Sequence, residues 1–149
     1  GFGRGHTDLW VWAETPAPLS GDYDDGNIEY AFSGPPEGGH FRVVESRTRP
    51  PDYDPAKDRS VVPAHPPKPR SGSRGTWDRG GANAYSSAMH KTETVDYAIF
   101  IDGQRTLVLD SGEVEWGPGD IVIDVGAWHQ WLSKAEGTGR IAFDMVAAR

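Results

Sequence analysis

Two histidines are the side chains of this sequence best suited to chemistry. His90 stands near the start of MHKTETVDY, residues 89–97, in which Asp96 follows it, and His129 lies in VGAWHQW much later in the chain. An imidazole changes charge near neutral pH, so it can serve as an acid or a base, and its nitrogens also bind divalent metals. The sequence therefore predicts a catalytic or metal site if the fold brings the two histidines together.

Strand geometry would aim several of these side chains in one direction. Residues of equal parity share one face of a β-strand. His90, Thr92 and Asp96 are all even-numbered, and we expect them to share an interior face if no bulge intervenes. His129 and Trp131 are expected to share a face of a later strand in the same way.

The elements that must position these residues are short strands. Segments rich in aromatic and β-branched residues recur between clusters of Gly, Pro and Asp, which is typical of strands and turns. Asp102–Gly103 and Ser111–Gly112 are typical of hairpins. No window has helical spacing, so we expect one all-β domain over residues 1–149, an antiparallel β-sandwich or jelly-roll barrel. The predicted strands are DLWVWAE, NIEYAF, HFRVVES, TVDYAIFI, RTLVLD, EVEWG, DIVIDV, WHQWL and RIAFDMVAA.

The segment over residues 47–84 has a different composition. Pro, Gly, Arg, Ser and Asp dominate it, and it has no strand or helix periodicity. Irregular segments of this length are uncommon in compact domains and are usually functional lids or mobile. We expect a long Pro/Gly-rich loop insertion, either a partly disordered surface excursion or a cover over the mouth of a pocket.

Composition excludes several classes of function. The net charge of -7 opposes a nucleic-acid partner, because such binding rests on Lys and Arg neutralising phosphates. The chain has no cysteine, which excludes disulfides and thiolate chemistry. No apolar run reaches the roughly 20 residues that span a bilayer, and the start lacks a signal pattern. We therefore expect no membrane partner and a cytoplasmic location.

Known cofactor and nucleophile motifs do not fit. GFGRG at the start has no preceding strand and no following helix, so no nucleotide cofactor is expected. The pattern GxSxG of serine hydrolases does not occur. The acidic cluster DYDDGN lacks the spacing and the final Glu of a calcium loop, and it is interpreted as a turn.

Two motifs in the last part of the chain resemble those of the cupin superfamily. In HKTETVDYAIFIDG, His90 takes the place of the first histidine of the first motif, and Asp96 stands at its glutamate, with Gly103 at the spacing of its glycine. PGD at 118–120 followed by VGAWH at 125–129 resembles the second motif. The similarity, which is to small single-domain cupins, covers residues 85–149 well and residues 8–46 loosely. It implies a small β-barrel with a ligand pocket.

The resemblance implies a metal site that is reduced in this chain. Thr92 occupies the place of the second motif histidine, and Ser133 replaces the final Asn of the second motif. What remains of the implied ligand set is His90, Asp96 and His129. Two imidazoles and one carboxylate suit a divalent ion such as Fe, Zn, Mn or Ni, and they leave positions open for a substrate.

Candidate substrate-binding residues are aromatic or polar residues near the motifs. Ligand pockets are mostly apolar with a few convergent polar groups. Arg42 would hold a substrate carboxylate with its planar guanidinium, although a surface position is the competing interpretation. Core packing is the competing interpretation for the aromatic candidates. The set is Trp131, Trp128, Tyr85, Thr92 and Arg42.

Tyr97 is a third catalytic candidate beside His90 and His129. Its phenol would act as an acid or hold a substrate by a hydrogen bond. Its parity is opposite to that of Asp96, however, so a regular strand would aim it at the other side of the sheet. Packing in a second layer or in a dimer interface is the competing interpretation. We expect a homodimer, for which the N-terminal strands are candidates.

Three functions are open for these residues. The first, which the resemblance to cupins implies, is a metal-assisted lyase or isomerase that dehydrates, decarboxylates or isomerises an oxygenated or carboxylated metabolite, with oxygen-dependent ring cleavage as a lesser version. The second is a metal-free enzyme in which His90 and His129 form an acid–base pair. The third is a binding or sensing module without chemistry. Each takes a small molecule as its partner.

Overall fold

A computed structural model describes residues 4–19, 32–134 and 137–149. The predicted strand NIEYAF, residues 27–32, lies outside the described residues except for Phe32. Strands account for nearly all the regular structure that is described, with one 3-10 helix at Pro55–Lys57. The strands are β1 Arg4–Trp12, β2 Gly39–Ser46, β3 Lys68–Pro69, β4 Thr76–Asp78, β5 His90–Thr92, β6 Thr94–Asp102, β7 Arg105–Leu109, β8 Gly112–Trp116, β9 Ile121–Val125, β10 His129–Leu132 and β11 Gly139–Ala147.

The strands form two antiparallel sheets. One has the order β1-β2-β11-β6-β9, and the other has the order β3-β4-β5-β10-β7-β8. The predicted all-β sandwich or jelly-roll architecture is therefore confirmed. Across the described ranges, no helix is long and apolar enough to cross a membrane.

One of the two predicted hairpins is wrong. The turn at Ser111–Gly112 joins β7 to β8, which pair directly. The strands on either side of Asp102–Gly103, β6 and β7, lie in different sheets. Gly103 has a φ of 73°, and a Cβ at this position would lie 2.5 Å from the carbonyl oxygen of Thr138. A glycine here therefore allows a tight passage from one sheet to the other, because it has no side chain to collide with that carbonyl.

The segment 47–84 is more regular than its composition predicts. β3 and β4 pair with each other, and β4 pairs with β5, so they extend the six-stranded sheet. Asp58 connects two distant parts of the segment, because its carboxylate accepts a hydrogen bond from the Tyr53 hydroxyl at 2.6 Å and another from the Ala84 N–H at 2.9 Å. The segment forms a structured wall beside β5.

The apolar core lies between the sheets. Phe100 packs against Trp116 and Trp131, with ring centroids 6.4 and 5.8 Å apart, and Trp131 meets Phe143 edge-on at 5.7 Å. Such aromatic pairs contribute about 0.5–1.5 kcal/mol each beyond their burial. Trp131 also contacts the ring of His129, so this core supports the candidate site directly. The buried cluster is Ala98, Phe100, Leu107, Val122, Ile141, Phe143 and Met145.

Arg105 ties the two sheets together. It begins β7 and is buried, and its Nη2 donates to the carbonyl oxygens of Ser46 at 3.1 Å and Gly139 at 2.9 Å. Those two residues belong to β2 and β11 of the other sheet. A planar guanidinium can make such parallel contacts with backbone carbonyls, and here they hold the sheets in register with each other.

Candidate functional site

Two cross-strand pairs meet between the sheets. His90 on β5 lies opposite His129 on β10, and their ring centroids are 4.3 Å apart. This histidine pair lies in the six-stranded sheet. In the five-stranded sheet, Asp96 on β6 lies opposite Asp124 on β9. Potential ligand atoms of Asp96, Asp124 and His129 all lie within 4.8 Å of one another. The fold therefore brings together the two histidines and the aspartate that the sequence singles out.

Backbone carbonyls fix the orientation of both imidazoles. Nδ1 of His90 lies 2.7 Å from the carbonyl oxygen of Ala88, and Nδ1 of His129 lies 3.0 Å from that of Ala127. A carbonyl can only accept, so each Nδ1 carries a proton. In the neutral ring the proton on Nδ1 leaves Nε2 as the free atom, available to a substrate or a metal.

Asp124 is the charge partner of His129. Its Oδ2 lies 2.6 Å from Nδ1 of His129, and its Oδ1 accepts a hydrogen bond from the Ala127 N–H at 2.8 Å. Burial alone would lower the pKa of His129, but the hydrogen bond and the charge of Asp124 outweigh it, and the pKa is raised. Burial likewise opposes ionisation of Asp124, yet His129 holds the pKa of that carboxyl below its usual value. Asp124 therefore favours the charged form of His129, and His129 favours the charged form of Asp124.

Asp96 is a carboxyl with a strongly altered proton affinity. It is 5% exposed, and burial raises its pKa to about 6, although a hydrogen bond from Thr94 partly opposes that shift. The hydroxyl of Thr94 donates to Oδ1 of Asp96 at 2.5 Å and lies 2.7 Å from the hydroxyl of Thr92. Asp96 thus exchanges its proton close to neutral pH, which is unusual for an aspartate.

His90 stays neutral over the same pH range. Burial, joined by the nearby charge of His129, lowers its pKa to about 3. Phe32 covers one side of the ring, with centroids 5.2 Å apart in an edge-on arrangement. His90 is therefore a weak base that offers a lone pair on Nε2.

Asp124 is the functional residue that the sequence analysis missed. It lies within the predicted strand DIVIDV, and its even number places it on the same face as the buried Val122. That parity was the available signal. No motif position pointed to Asp124, and its role depends on its register opposite Asp96, which a single sequence does not specify.

The site opens into two connected cavities. An inner cavity of about 70 Å³ lies against His90, Asp96 and His129. An outer cavity of about 880 Å³ is walled by the segment 47–84 and the start of β1. Both cavities are lined by Arg4, His6, Phe32 and Ser87.

Three of the predicted substrate-binding residues line the inner cavity. They are Tyr85, Trp131 and Arg42. Arg42 is already engaged, because its Nε donates to Asp8 at 2.5 Å and its Nη1 donates to the carbonyl of Phe32 at 2.7 Å. Arg42 therefore stabilises the wall of the cavity, and its guanidinium is occupied by protein groups.

The remaining substrate-binding candidates, Trp128 and Thr92, and the catalytic candidate Tyr97 do not line the inner cavity. Trp128 carries the guanidinium of Arg79 over its ring at 4.0 Å and does not line the inner cavity. Thr92 is buried beside Thr94 and does not line the inner cavity, although a hydrogen bond from its side chain helps to lower the pKa of Asp96. Tyr97 is 40% exposed and lies on the outer face of the sheet, opposite to Asp96, so the structure gives its phenol no access to the cavity.

The fold is that of a cupin domain, as the sequence motifs predict. The structure is similar to the Cupin_2 domain of an XRE family transcriptional regulator from Enterobacter cloacae, with a TM-score of 0.50, 9% identity and coverage of 99% of both chains. That likeness defines the fold.

Relatives in sequence are fungal. Over 65 residues the chain is 38% identical to Phomopsin biosynthesis cluster protein D of Diaporthe leptostromiformis, and this match covers 42% of this chain and 34% of that protein. Over 69 residues it is 35% identical to the cupin-domain-containing oxidoreductase fogC of Aspergillus ruber, and this match covers 44% of this chain and 34% of that protein. The matched region thus spans about a third of each relative's length. No family model matches the chain.

The donor set is chemically suited to a divalent metal. Asp96, Asp124 and His129 offer two carboxylates and one imidazole within 4.8 Å of one another. Such donors suit Mn, Fe or Zn. The cluster differs from the expected set, because Asp124 stands in it where His90 was expected. The held Nδ1 atoms leave the Nε2 of both histidines as alternative donors.

Proposed function

We propose that the chain is an enzyme that moves a proton within a small molecule held between the two sheets, as in a dehydration, decarboxylation or isomerisation. The proposal rests on the pair formed by Asp96 and His129. A carboxyl whose pKa is about 6 exchanges its proton near neutral pH, and the raised pKa of the His129 imidazole favours the charged form that can donate a proton. General acid–base catalysis is most efficient with such groups. The substrate class is an oxygenated or carboxylated metabolite.

Each residue of the site has a separate role in this proposal. The Asp96 carboxylate accepts a proton from the substrate, and the His129 imidazolium donates one to the leaving or rearranging oxygen. Asp124 keeps His129 protonated and orients its ring. His90 is too weak a base to share the proton transfer, so its Nε2 accepts a hydrogen bond that positions the substrate. This assignment replaces the expected pair of two histidines with an aspartate and a histidine.

A metal-assisted version of the reaction is the second candidate, and the compact cluster of Asp96, Asp124 and His129 favours it. A bound divalent ion would act as a Lewis acid that polarises a carbonyl or carboxylate of the substrate. Iron at the same donors would also permit the redox chemistry suggested by the word oxidoreductase in the name of the Aspergillus relative.

Proton exchange with solvent tests the acid–base proposal even where the product of the reaction is unidentified. The protein is incubated in D₂O with a panel of 2-oxo, 3-oxo and hydroxy acids, and deuterium incorporation or loss of carbon dioxide is followed by NMR. We expect Asp96→Asn and His129→Gln to slow the reaction of any processed compound about a hundredfold or more. Asp110→Asn is the matched control, because Asp110 pairs with Arg79 at the surface. Unchanged rates in the two site variants would refute the roles and leave a binding module.

Metal content and melting temperature test the second candidate. Metals are measured in protein purified without a histidine tag, and melting is followed with Mn, Fe(II), Zn and Ni after chelation. If a metal binds, the melting temperature rises in the wild type and not in Asp96→Asn, because a ligand that binds only the folded state stabilises it. The rise in melting temperature on adding metal is then compared between Asp124→Asn and His90→Gln, and the variant that loses the rise identifies the third donor. If no metal co-purifies and none changes melting or exchange, the metal-assisted version fails.

We also propose that the chain forms a homodimer through the outer face of β6 and β9. This face carries exposed apolar side chains, and β9 is an edge strand within the described residues. An open apolar edge tends to pair with another chain, and a second copy presents the same edge in a two-fold antiparallel arrangement. The N-terminal strand β1, which was the first candidate, pairs with β2 on one side and is the other edge strand of this sheet. The exposed set is Tyr97, Ile99, Ile101, Ile121, Ile123 and Val125.

A further inference from the structure

Two arginines face the cavities without a partner of opposite charge. Arg4 at the start of β1 lines both the inner and the outer cavity, and Arg70, which follows β3, lines the outer cavity. Among the described residues, neither guanidinium has a hydrogen bond or an ion pair. A partly buried charge without a counter-charge is costly, so a cavity that keeps two of them is suited to an anion.

Two carboxylates that line the outer cavity, those of Asp58 and Asp78, contact other groups of the protein. Asp58 accepts hydrogen bonds from Tyr53 and the Ala84 N–H, and Asp78 lies 2.9 Å from Nε2 of His65. Neither carboxylate forms an ion pair with Arg4 or Arg70.

The electrostatic effect of the two arginines is visible on their neighbours. Burial, and then the charge of Arg70, lowers the pKa of Arg4. Burial, followed by the charges of Arg42 and Arg4, lowers the pKa of His6 to about 4. Arg70 also contributes to the low pKa of His90. The region between the outer cavity and the histidines therefore favours negative charge.

The placement of Arg70 leaves its donors free. Its Cζ lies 4.2 Å above the centre of the Phe32 ring, and the Phe32 ring meets that of His90 at 5.2 Å. Stacking uses the face of a guanidinium and leaves the N–H groups at its edge, which match a carboxylate or phosphate in a bidentate fashion. One small molecule can therefore span from Arg70 to His90.

We propose that Arg4 and Arg70 bind the anionic group of the substrate, a carboxylate or a phosphate, and so hold its reacting end in the inner cavity. This inference rests on the proposed function of that cavity and specifies its substrate class. Arg42, which the sequence suggested for this role, is bound to Asp8 instead. The anion would also offset the repulsion between the two arginines.

Binding of three matched probes tests the inference without any turnover. Benzoate, phenyl phosphate and the neutral benzamide are titrated at constant pH and ionic strength, and the imidazole NMR signals of His6 and His90 report occupancy. The variants are Arg4→Gln, Arg70→Gln and the charge-preserving Arg70→Lys. Arg49→Gln is the control, because Arg49 is exposed and lies outside both cavities.

We expect at least one anion to shift both histidine signals, while benzamide at the same concentration does not. Either glutamine variant should weaken anion binding tenfold or more, since hydrogen bonds to charged groups are worth about 1.5–3 kcal/mol. Arg70→Lys should retain part of the affinity, and the control should retain all of it. The preference between benzoate and phenyl phosphate identifies the anionic group.

Two results would overturn the inference: equal binding of benzamide and benzoate, or wild-type affinity in both glutamine variants. Circular dichroism of each variant separates a loss of binding from a loss of folding. His90→Gln should still bind the anion. Anion binding that persists while no compound exchanges protons would count against the proposed reaction and would leave the anion site intact.

Discussion

Replacing Asp124 by asparagine should lower the pKa of His129. The substitution keeps the size of the side chain and an oxygen that can accept from the Ala127 N–H, so the turn before β10 is preserved. It removes the negative charge that lies 2.6 Å from Nδ1 of His129. Burial of the ring remains and favours its neutral form. The imidazolium then loses the interaction that outweighs burial.

The size of the change follows from the geometry. An opposite charge at this distance shifts a pKa by about 1–3 units, and each unit corresponds to about 1.4 kcal/mol. Asp96 also faces His129 and still favours its charged form in the variant. The expected fall is therefore at the lower end, about 1–2 units. The pKa of His129 falls from its raised value, because fewer groups then oppose the effect of burial.

Titration of the imidazole signals by NMR measures this shift directly. The chain has only five histidines, so single substitutions can assign every signal. The titration runs from about pH 5 to 9 in chelator-treated protein, with Asp110→Asn as the control for the loss of one carboxylate. The same variant should also lose activity as the pH rises through the lowered pKa. An unchanged pKa for His129 in Asp124→Asn would refute the assignment of Asp124 as its charge partner.

Three further predictions concern stability, assembly and metal binding. Burial lowers the pKa of His40 to about 4, so its neutral form contributes stability above pH 6.5 that is lost as the pH falls through 4. Urea unfolding measures the free energy of unfolding at pH 7 and at pH 4. The decrease between these two pH values should be smaller in His40→Leu than in the wild type by about 3 kcal/mol. An equal decrease in both proteins would contradict this. Ile123→Glu should convert the dimer to a monomer in light scattering, whereas Val114→Glu on β8 should not, and a dimer in both would exclude the β6–β9 face. A divalent ion that binds at Asp96 must displace the proton that this carboxyl holds below its pKa of about 6. Calorimetry in buffers of different ionisation enthalpy should therefore show that metal binding releases more protons as the pH falls through 6. Proton release that does not change with pH would place the ion elsewhere.

Two strands could be predicted from the sequence almost to their ends. RTLVLD, predicted at 105–110, corresponds to β7, and RIAFDMVAA at 140–148 corresponds to β11. Composition predicts both, because short runs of apolar and β-branched residues bounded by turn clusters are typical of strands. The shared parity of His90 and Asp96 predicted that both would lie on interior faces, and both are buried.

What the sequence could not provide was the pairing between distant strands. Asp96 lies opposite Asp124 because β6 pairs with β9 in one sheet, and His90 lies opposite His129 because β5 pairs with β10 in the other. Arg4 was missed for a simpler reason, since the predicted strand began at residue 8 and β1 begins at Arg4. The hairpin at Asp102–Gly103 failed because a turn signal does not say whether the next strand continues in the same sheet.

The charge balance of the site explains why one cluster suits both candidate versions of the chemistry. Two carboxylates directly opposite each other destabilise a strand pair unless positive charge offsets them. Asp96 and Asp124 are such a pair, and Asp124 favours the protonated ring of His129, which offsets one of the two charges when it forms. The remaining charge is offset either by a proton on Asp96, whose pKa is about 6 because of burial together with this pairing, or by a cation in the same position. Proton and metal therefore compete for one carboxylate, and the exchange and melting experiments on Asp96→Asn determine which of them the protein uses.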